Sequence, residues 1–332
     1  MKNDIISVTD TGLVREQNED FCSVVETPNG LLCIVCDGMG GHTGGAEASH
    51  IAVHCMIQHF SKAIYSDIRL ALRDALDFAN MQIIGAASES SELKCMGTTA
   101  CILLVQDDCA WIAHVGDSRI YLYVAKEKRL HRLTKDHSYV QGLIDQGIIY
   151  EEEAEHHPQK NRILKALGIK EDLQAEIIAH PVLPAKGDIF LICSDGLSGM
   201  VSDKRIEAIL SKKNNLQEKE TVLMAEAKSA GGLDNITFQL VKINQSPHKK
   251  SVFESKNIAA QKGIKKQKTL KYSLLALTCL IILVTMILCS RKSNTPQFEM
   301  PEAPSDSVNF INQQDTIPNL QINSINHSID SI

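Results

Sequence analysis

Four aspartates stand where apolar runs end. Asp37 directly follows Leu31-Leu-Cys-Ile-Val-Cys36, Asp117 follows the run Cys109 to Val115 across Gly116, Asp195 follows Ile189 to Cys193 across Ser194, and Asp234 lies two residues before Ile236 to Val241. A strand end delivers a carboxylate to a fixed place at a sheet edge, and carboxylates from several strands can converge on hard divalent cations. Taken singly, Asp37-Gly38 and Asp195-Gly196 are also common turn pairs. Four Asp-bearing turns, each flanking a buried run, tip the reading towards metal. Histidine and cysteine offer no rival centre, because no His-Glu-x-x-His occurs and Cys33-x-x-Cys36 has no second Cys-x-x-Cys for zinc. No Cys-x5-Arg phosphate loop exists either. The cluster Gly38-Met-Gly-Gly-His-Thr-Gly-Gly45 has Ala46 where a P-loop needs lysine, and it fails the dinucleotide pattern. It can bring backbone carbonyls and amides close to an ion and then open a helix at Ala46.

The elements that must position these carboxylates follow from periodicity. Leu31–Cys36, Ala100–Val105, Cys109–Val115, Ile120–Val124, Ile189–Cys193 and Ile236–Val241 read as buried strands, and Gly116-Asp-Ser-Arg119 reads as a hairpin-like turn between the third and fourth. Helical patterns cover about Ala46–Phe60, Ser66–Ala87, Tyr139–Gln146 and Leu216–Ala230. Two sheets with helices outside accommodate this order better than a strictly parallel α/β fold.

Composition sets the frame. The 332 residues are 44% hydrophobic and 22% charged, which excludes wholesale disorder. A net charge of −6 argues against a dedicated nucleic-acid binder. The ten cysteines fall mostly inside apolar runs and read as reduced, cytosolic thiols. The first twelve residues carry Asp4 and Asp10 and lack the apolar core of a secretory signal. Globular character ends near residue 243; residues 244–271 form a linker, with eight lysines against the single acid Glu254 between Lys249 and Lys271. Residues 272–289 carry no formal charge over eighteen positions and read as a transmembrane helix, followed by a polar, poorly ordered tail, 290–332.

Seven short motifs in order resemble the PPM-type metal-dependent serine/threonine protein phosphatases in their bacterial form. They are Val14-Arg15-Glu-Gln-Asn18-Glu19-Asp20, Cys36-Asp37-Gly-Met-Gly-Gly-His42, Met96-Gly97-Thr98-Thr99, Val115-Gly-Asp-Ser-Arg119, Leu133-Thr-Lys-Asp-His137-Ser138, Cys193-Ser-Asp195-Gly196 and Asp234-Asn235-Ile-Thr237. The resemblance covers most of residues 1–243 and implies an α+β fold, a four-layer α-β-β-α sandwich of two antiparallel sheets flanked by helices. It implies two Mn2+ or Mg2+ ions bridged by Asp37, with the Gly38 carbonyl on one and Asp195 and Asp234 on the other, and a third, looser ion on Asp117 and Asp195. Arg15 would grip the substrate phosphate, and Asp20 and Glu19 would orient water or Arg15. A metal-bridged hydroxide would hydrolyse phosphoserine or phosphothreonine on cytoplasmic proteins, opposing a serine/threonine kinase.

The proton donor is where the chain departs from eukaryotic relatives, which have histidine at the position of Met39. His42 is a candidate general acid, beside a metal-bound water. His114 and His137 read as structural, and the segment Gln146 to Leu167 as a flap whose Glu151-Glu-Glu153 run is a solvated face. The alternatives are a catalytically silent phosphoprotein-binding module on the same fold and a membrane sensor working through its tail. Positive-inside counting, six lysines in 252–271 against Arg291 and Lys292 with five acids after the span, places the phosphatase domain in the cytoplasm and the tail outside it.

Overall fold

The computed structural model describes residues 3–40 and 43–245. In chain order the elements are β1 (Asp4–Asp10), β2 (Asp20–Thr27), β3 (Gly30–Met39), α1 (Gly44–Lys62), α2 (Ile68–Glu89), β4 (Gly97–Thr98), β5 (Ala100–Gln106), β6 (Cys109–Val115), β7 (Arg119–Val124), β8 (Arg129–Arg132), α3 (Tyr139–Asp145), α4 (Glu151–Ala154), β9 (Glu176–Ile177), β10 (Ile189–Cys193), α5 (Asp195–Ser198), α6 (Asp203–Leu210), α7 (Leu216–Ser229) and β11 (Ile236–Lys242). Two antiparallel sheets result, one in the order β1-β11-β10-β7-β8 and one in the order β2-β3-β5-β6-β9, with β4 added to β3.

The alternation within β3 shows how the layers form. Leu32, Ile34 and Cys36 pack with Val53, Met56 and Phe60 of α1 and Leu72, Leu76 and Ile83 of α2. Leu31, Cys33 and Val35 point the other way, onto Phe190, Ile192, Ile120 and Val241 of the second sheet. A strand buried on both faces has no reason to alternate in polarity, so its sequence is a continuous apolar run. The second sheet turns its outer face, Tyr121, Leu191, Phe238 and Leu240, to Leu197, Ile206, Ile209 and Leu223 of α5, α6 and α7. These three cores give the expected four layers.

One expectation fails. Gly116 to Arg119 is not a hairpin: β6 pairs with β5 and β9, whereas β7 pairs with β10 and β8, so this turn carries the chain from one sheet to the other. Gly116, at φ +101°, makes the sharp crossing, and a Cβ there would stand 2.5 Å from Thr99 Cγ2. The hairpin lies one strand earlier, where β5 and β6 turn through Asp107, at φ +51°.

Among the described residues no helix is long and apolar enough to cross a membrane. The expected span 272–289, the linker beyond residue 245 and the tail lie outside them.

Candidate metal and phosphate site

The β2–β3 register sets Asp20 directly opposite Asp37. Asp195 opens α5 immediately after β10, and Asp234 precedes β11, which is hydrogen-bonded to β10. Asp117 sits in the turn that crosses between the sheets. One rim of the sandwich therefore collects five carboxylates from separate strand ends.

Their supports are hydroxyl groups. The Asp37 amide donates to Thr99 Oγ1 at 3.0 Å, and the Asp37 carbonyl accepts from Thr98 Oγ1 at 2.9 Å and from the Thr99 amide at 2.9 Å. Ser194 Oγ donates to Asp20 Oδ2 at 2.8 Å while accepting from the Thr237 amide at 3.1 Å. Thr98, Thr99, Ser194 and Thr237 fall inside the motifs without a role read from sequence; Ser194 and Thr237 share a motif with an aspartate, whereas Met96-Gly97-Thr98-Thr99 contains none and gives no such signal. Gly38 is required by proximity, since a Cβ there would lie 2.1 Å from the Gly45 carbonyl oxygen and 2.5 Å from that of Glu19.

Crowding five carboxylates leaves negative charge uncompensated. Burial, followed by the charges of Asp20, Asp195, Asp117 and Asp234, pushes Asp37 well above the ordinary carboxyl range. Burial also raises Asp20 to about 7, against its hydrogen bonds from Thr237 and Ser194, and raises Asp117 to about 8 with the help of Asp195. Asp195 is raised by burial and by Asp234. Asp117 Oδ1 is buried without a hydrogen-bond partner. Carboxylates that repel one another, with one buried oxygen left without a donor, fit divalent cations, which supply the missing charge through the hard ligands this donor set offers.

Arg15 lies at the edge of the cluster, where its Nη2 donates to Asp234 Oδ2 at 2.8 Å. Burial works against its charge, but Asp234, Glu19 and Asp37 outweigh it and hold the guanidinium more firmly protonated. Glu19 is raised by burial and by Asp234, with Arg15 opposing. Of the expected site residues, Asp37, Gly38, Asp117, Asp195, Asp234, Asp20, Glu19 and Arg15 all come to this rim; His42 lies outside the described residues.

One further group of metal-type donors forms among the described residues: His114, His137 and Glu176, with ligand atoms within 4.8 Å of one another. Its hydrogen bonds favour a buttress. The Gly116 amide donates to His137 Nδ1 at 3.1 Å, which leaves the ring proton, not a lone pair, on Nε2, the atom 3.2 Å from Glu176 Oε1. His114 Nε2 donates to the Lys135 carbonyl at 2.8 Å, and the two rings stack 4.8 Å apart. The same motif supplies Asp136, which takes the Arg119 fork at 2.7 Å, and Ser138, which caps α3. The motif thus braces the turn that carries Asp117. The flap is strapped beside it by the Ser138–Ile163 bridge and by paired Thr98–Leu167 hydrogen bonds, with Glu151 to Glu153 exposed.

The profile of protein phosphatase 2C matches residues 14–228. The chain belongs to the protein phosphatase 2C family. It is a metal-dependent protein serine/threonine phosphatase. The serine/threonine phosphatase stp of Listeria welshimeri is 39% identical over 241 residues, covering 71% of this phosphatase and 94% of that protein. The protein phosphatase PhpP of Streptococcus pneumoniae is 37% identical over 246 residues, covering 73% and 98%. Among solved structures, the S. agalactiae serine/threonine phosphatase matches with a TM-score of 0.68 at 35% identity, covering 73% of this phosphatase and 100% of that chain. The catalytic domain of PstP in complex with two manganese ions matches with a TM-score of 0.64 at 32% identity, covering 73% and 99%. The eight described cysteines of the phosphatase are free thiols.

Proposed function

We propose that Asp37, the Gly38 carbonyl, Asp195 and Asp234 hold two divalent cations, Mn2+ or Mg2+, that Asp117 and Asp195 take a third, and that Arg15 receives the phosphate of a phosphoserine or phosphothreonine. The observation that carries this is the concentration of buried and half-buried, mutually repelling carboxylates at one rim, with the exposed guanidinium of Arg15 at its edge. When bound, the cations supply positive charge and water acidified towards neutral pH, which offset the repulsion between a phosphomonoester dianion and its attacker.

The chain's own residues do the remaining work. The planar fork of Arg15 fits two phosphate oxygens at once and exchanges its contact with Asp234 for them. Thr98 and Thr99 fix the Asp37 backbone, and Ser194 fixes the Asp20 carboxylate, so these groups need no rearrangement as charge develops. Met39 cannot donate a proton, which leaves His42 and water as donors to the departing side-chain oxygen. Hydrolysis of p-nitrophenyl phosphate should appear with Mn2+, vanish with EDTA and return on re-addition; turnover indifferent to EDTA would overturn the assignment.

The wider setting belongs to the same proposal. Residues 1–243 form the catalytic domain, 244–271 a lysine-rich juxtamembrane linker, 272–289 a single membrane span, and 290–332 an extracytoplasmic tail; a serine/threonine kinase of the same cell, or its substrates, supplies the phosphoproteins. Eighteen residues at about 1.5 Å each reach roughly 27 Å, close to the hydrocarbon thickness of about 30 Å. Six Leu, three Ile and one Val favour insertion without an opposing charge. The linker lysines suit the anionic inner leaflet. Full-length protein should stay with membranes after carbonate washing, a 1–245 truncation should be soluble and active, and Ser324→Cys should react with an impermeant thiol reagent in intact cells. A soluble full-length protein would sink the topology.

A further inference from the structure

Arg15 stands on a loop without regular structure, residues 11–19, between β1 and β2, where its neighbours Leu13 and Val14 are exposed. Such a segment has no ladder to hold it, yet a phosphate-gripping guanidinium is useful only if its backbone is fixed. The Glu19 carbonyl accepts from Ser49 Oγ at 2.7 Å and from the Gly38 amide at 3.2 Å, and three further contacts converge on one buried side chain. Asn235, 4% exposed, accepts from the Glu19 amide at 2.8 Å through Oδ1 and donates through Nδ2 to the Thr11 carbonyl at 3.0 Å and the Gln17 carbonyl at 2.9 Å. It thereby grasps the loop at both ends, four residues before Arg15 and two and four residues after it. Its own amide donates to Asp234 Oδ1 at 2.8 Å, so the same residue also orients the carboxylate that Arg15 contacts.

We infer that Asn235 is a positioning residue for the phosphatase reaction, clamping loop 11–19 so that Arg15 and Glu19 face the carboxylate cluster. The clamp needs one acceptor and two donors on a short side chain, and a primary amide is the group that offers them. An aspartate there would set an oxygen against a carbonyl of Thr11 or Gln17, and an apolar residue would leave three backbone groups without their partners. A second backbone contact, Leu13 amide to Gly232 carbonyl at 2.8 Å, keeps the loop close to the segment carrying Asn235, so loss of the amide loosens the loop without releasing it.

The inference rests on the reading of Arg15 as the phosphate ligand, and the test separates the two. Full-length wild type, Arg15→Ala, Asn235→Ala and the double variant are compared in kcat and KM on a phosphothreonine peptide with Mn2+. Metal-free samples are followed by amide hydrogen exchange. Asn235→Ala should lower kcat/KM roughly 10-fold, chiefly through KM, and the double variant should match Arg15→Ala within about twofold, because a misplaced Arg15 has little left to lose. Exchange should accelerate in residues 11–19 while β10 and β11 stay protected. Losses that multiply in the double variant, unchanged exchange in the loop, or equal loosening of β10 and β11 would each overturn the clamp. If Arg15→Ala alone leaves kcat/KM intact, the phosphate reading fails, and exchange in the loop still decides whether Asn235 clamps it. Asn235→Ser, too short to span the three partners, should reproduce the exchange result if the alanine variant does not fold.

Discussion

At the residue scale the chemistry depends on charges that are tolerable only in company. Asp37→Asn or Asp234→Asn removes a charged oxygen from the proposed cation pair, and turnover should fall by several orders of magnitude. Steady-state assay at saturating Mn2+ checks this, and retention of most wild-type activity would remove that carboxylate from the ligand set. Arg15→Ala should cost roughly 1.5–3 kcal/mol of charge-assisted contact, or about 10- to 100-fold in kcat/KM on a phosphothreonine peptide. Its pair with Asp234 is open to solvent, at 48% and 30% side-chain exposure, and is worth no more than about 1 kcal/mol. Metal affinity measured by titration calorimetry should therefore change little; a loss equal to that in kcat/KM would make Arg15 a support of the cluster and not a substrate ligand.

At the element scale the site depends on how closely β10, α5 and β11 approach. Gly196, the second residue of α5, faces the Asn235 carbonyl oxygen, and a Cβ there would stand 1.9 Å from it. Gly196→Ala must push the start of α5 away from β11 and with it Asp195 from Asp234. Overpacking of this kind costs about 1–3 kcal/mol, so the urea midpoint should drop with an unchanged m-value, and Mn2+ affinity should weaken. An unaltered midpoint would mean that the backbone here gives way freely. The element order also explains which strands the sequence disclosed. Every inner strand, β3, β5 and β6 in one sheet and β11, β10 and β7 in the other, was legible as an apolar run. Of the unread strands, β1 and β8 edge one sheet, β2 and β9 edge the other, and the two-residue β4 pairs only with the end of β3. β1 reads Asp-Ile-Ile-Ser-Val-Thr-Asp and is only partly covered, so neither periodicity nor a continuous run marks it.

At the scale of the whole molecule the carboxylate rim sets how stability responds to pH. Asp20 at about 7 and Asp117 at about 8 keep protons in the folded, metal-free protein at pH values where the unfolded chain, with carboxyls near 3.8, has released them. The folded state then binds more protons, so stability is greatest below the unfolded value and is lost as pH rises through 7 and 8. His114 and His137, lowered chiefly by burial, act in the opposite sense, but most of their contribution is gained below the unfolded value of 6.5 and it levels off above it. Between pH 6.5 and 8 the EDTA-treated protein should show a falling melting temperature. Mn2+ should reverse the fall by replacing protons as the source of positive charge. A chelated protein at least as stable at pH 8 as at pH 6.5 would contradict the crowding of these carboxylates.

Amino-acid order alone determined the two-sheet class, the inner strands and the four strand-end aspartates, because burial on both faces writes itself as uninterrupted apolar residues and a carboxylate that follows such a run has one place to go. It also marked Arg15, Glu19 and Asp20 through their motif. Only the tertiary structure decided that Gly116 to Arg119 crosses between sheets, since a four-residue turn between two buried strands reads the same whether the strands pair or part. Only it showed that Asp20 faces Asp37, which is a matter of register. And only it gave Asn235 a task, because the groups its amide holds, in Thr11, Gln17 and Glu19, lie more than two hundred residues away along the chain and meet it solely where β1 and β11 pair.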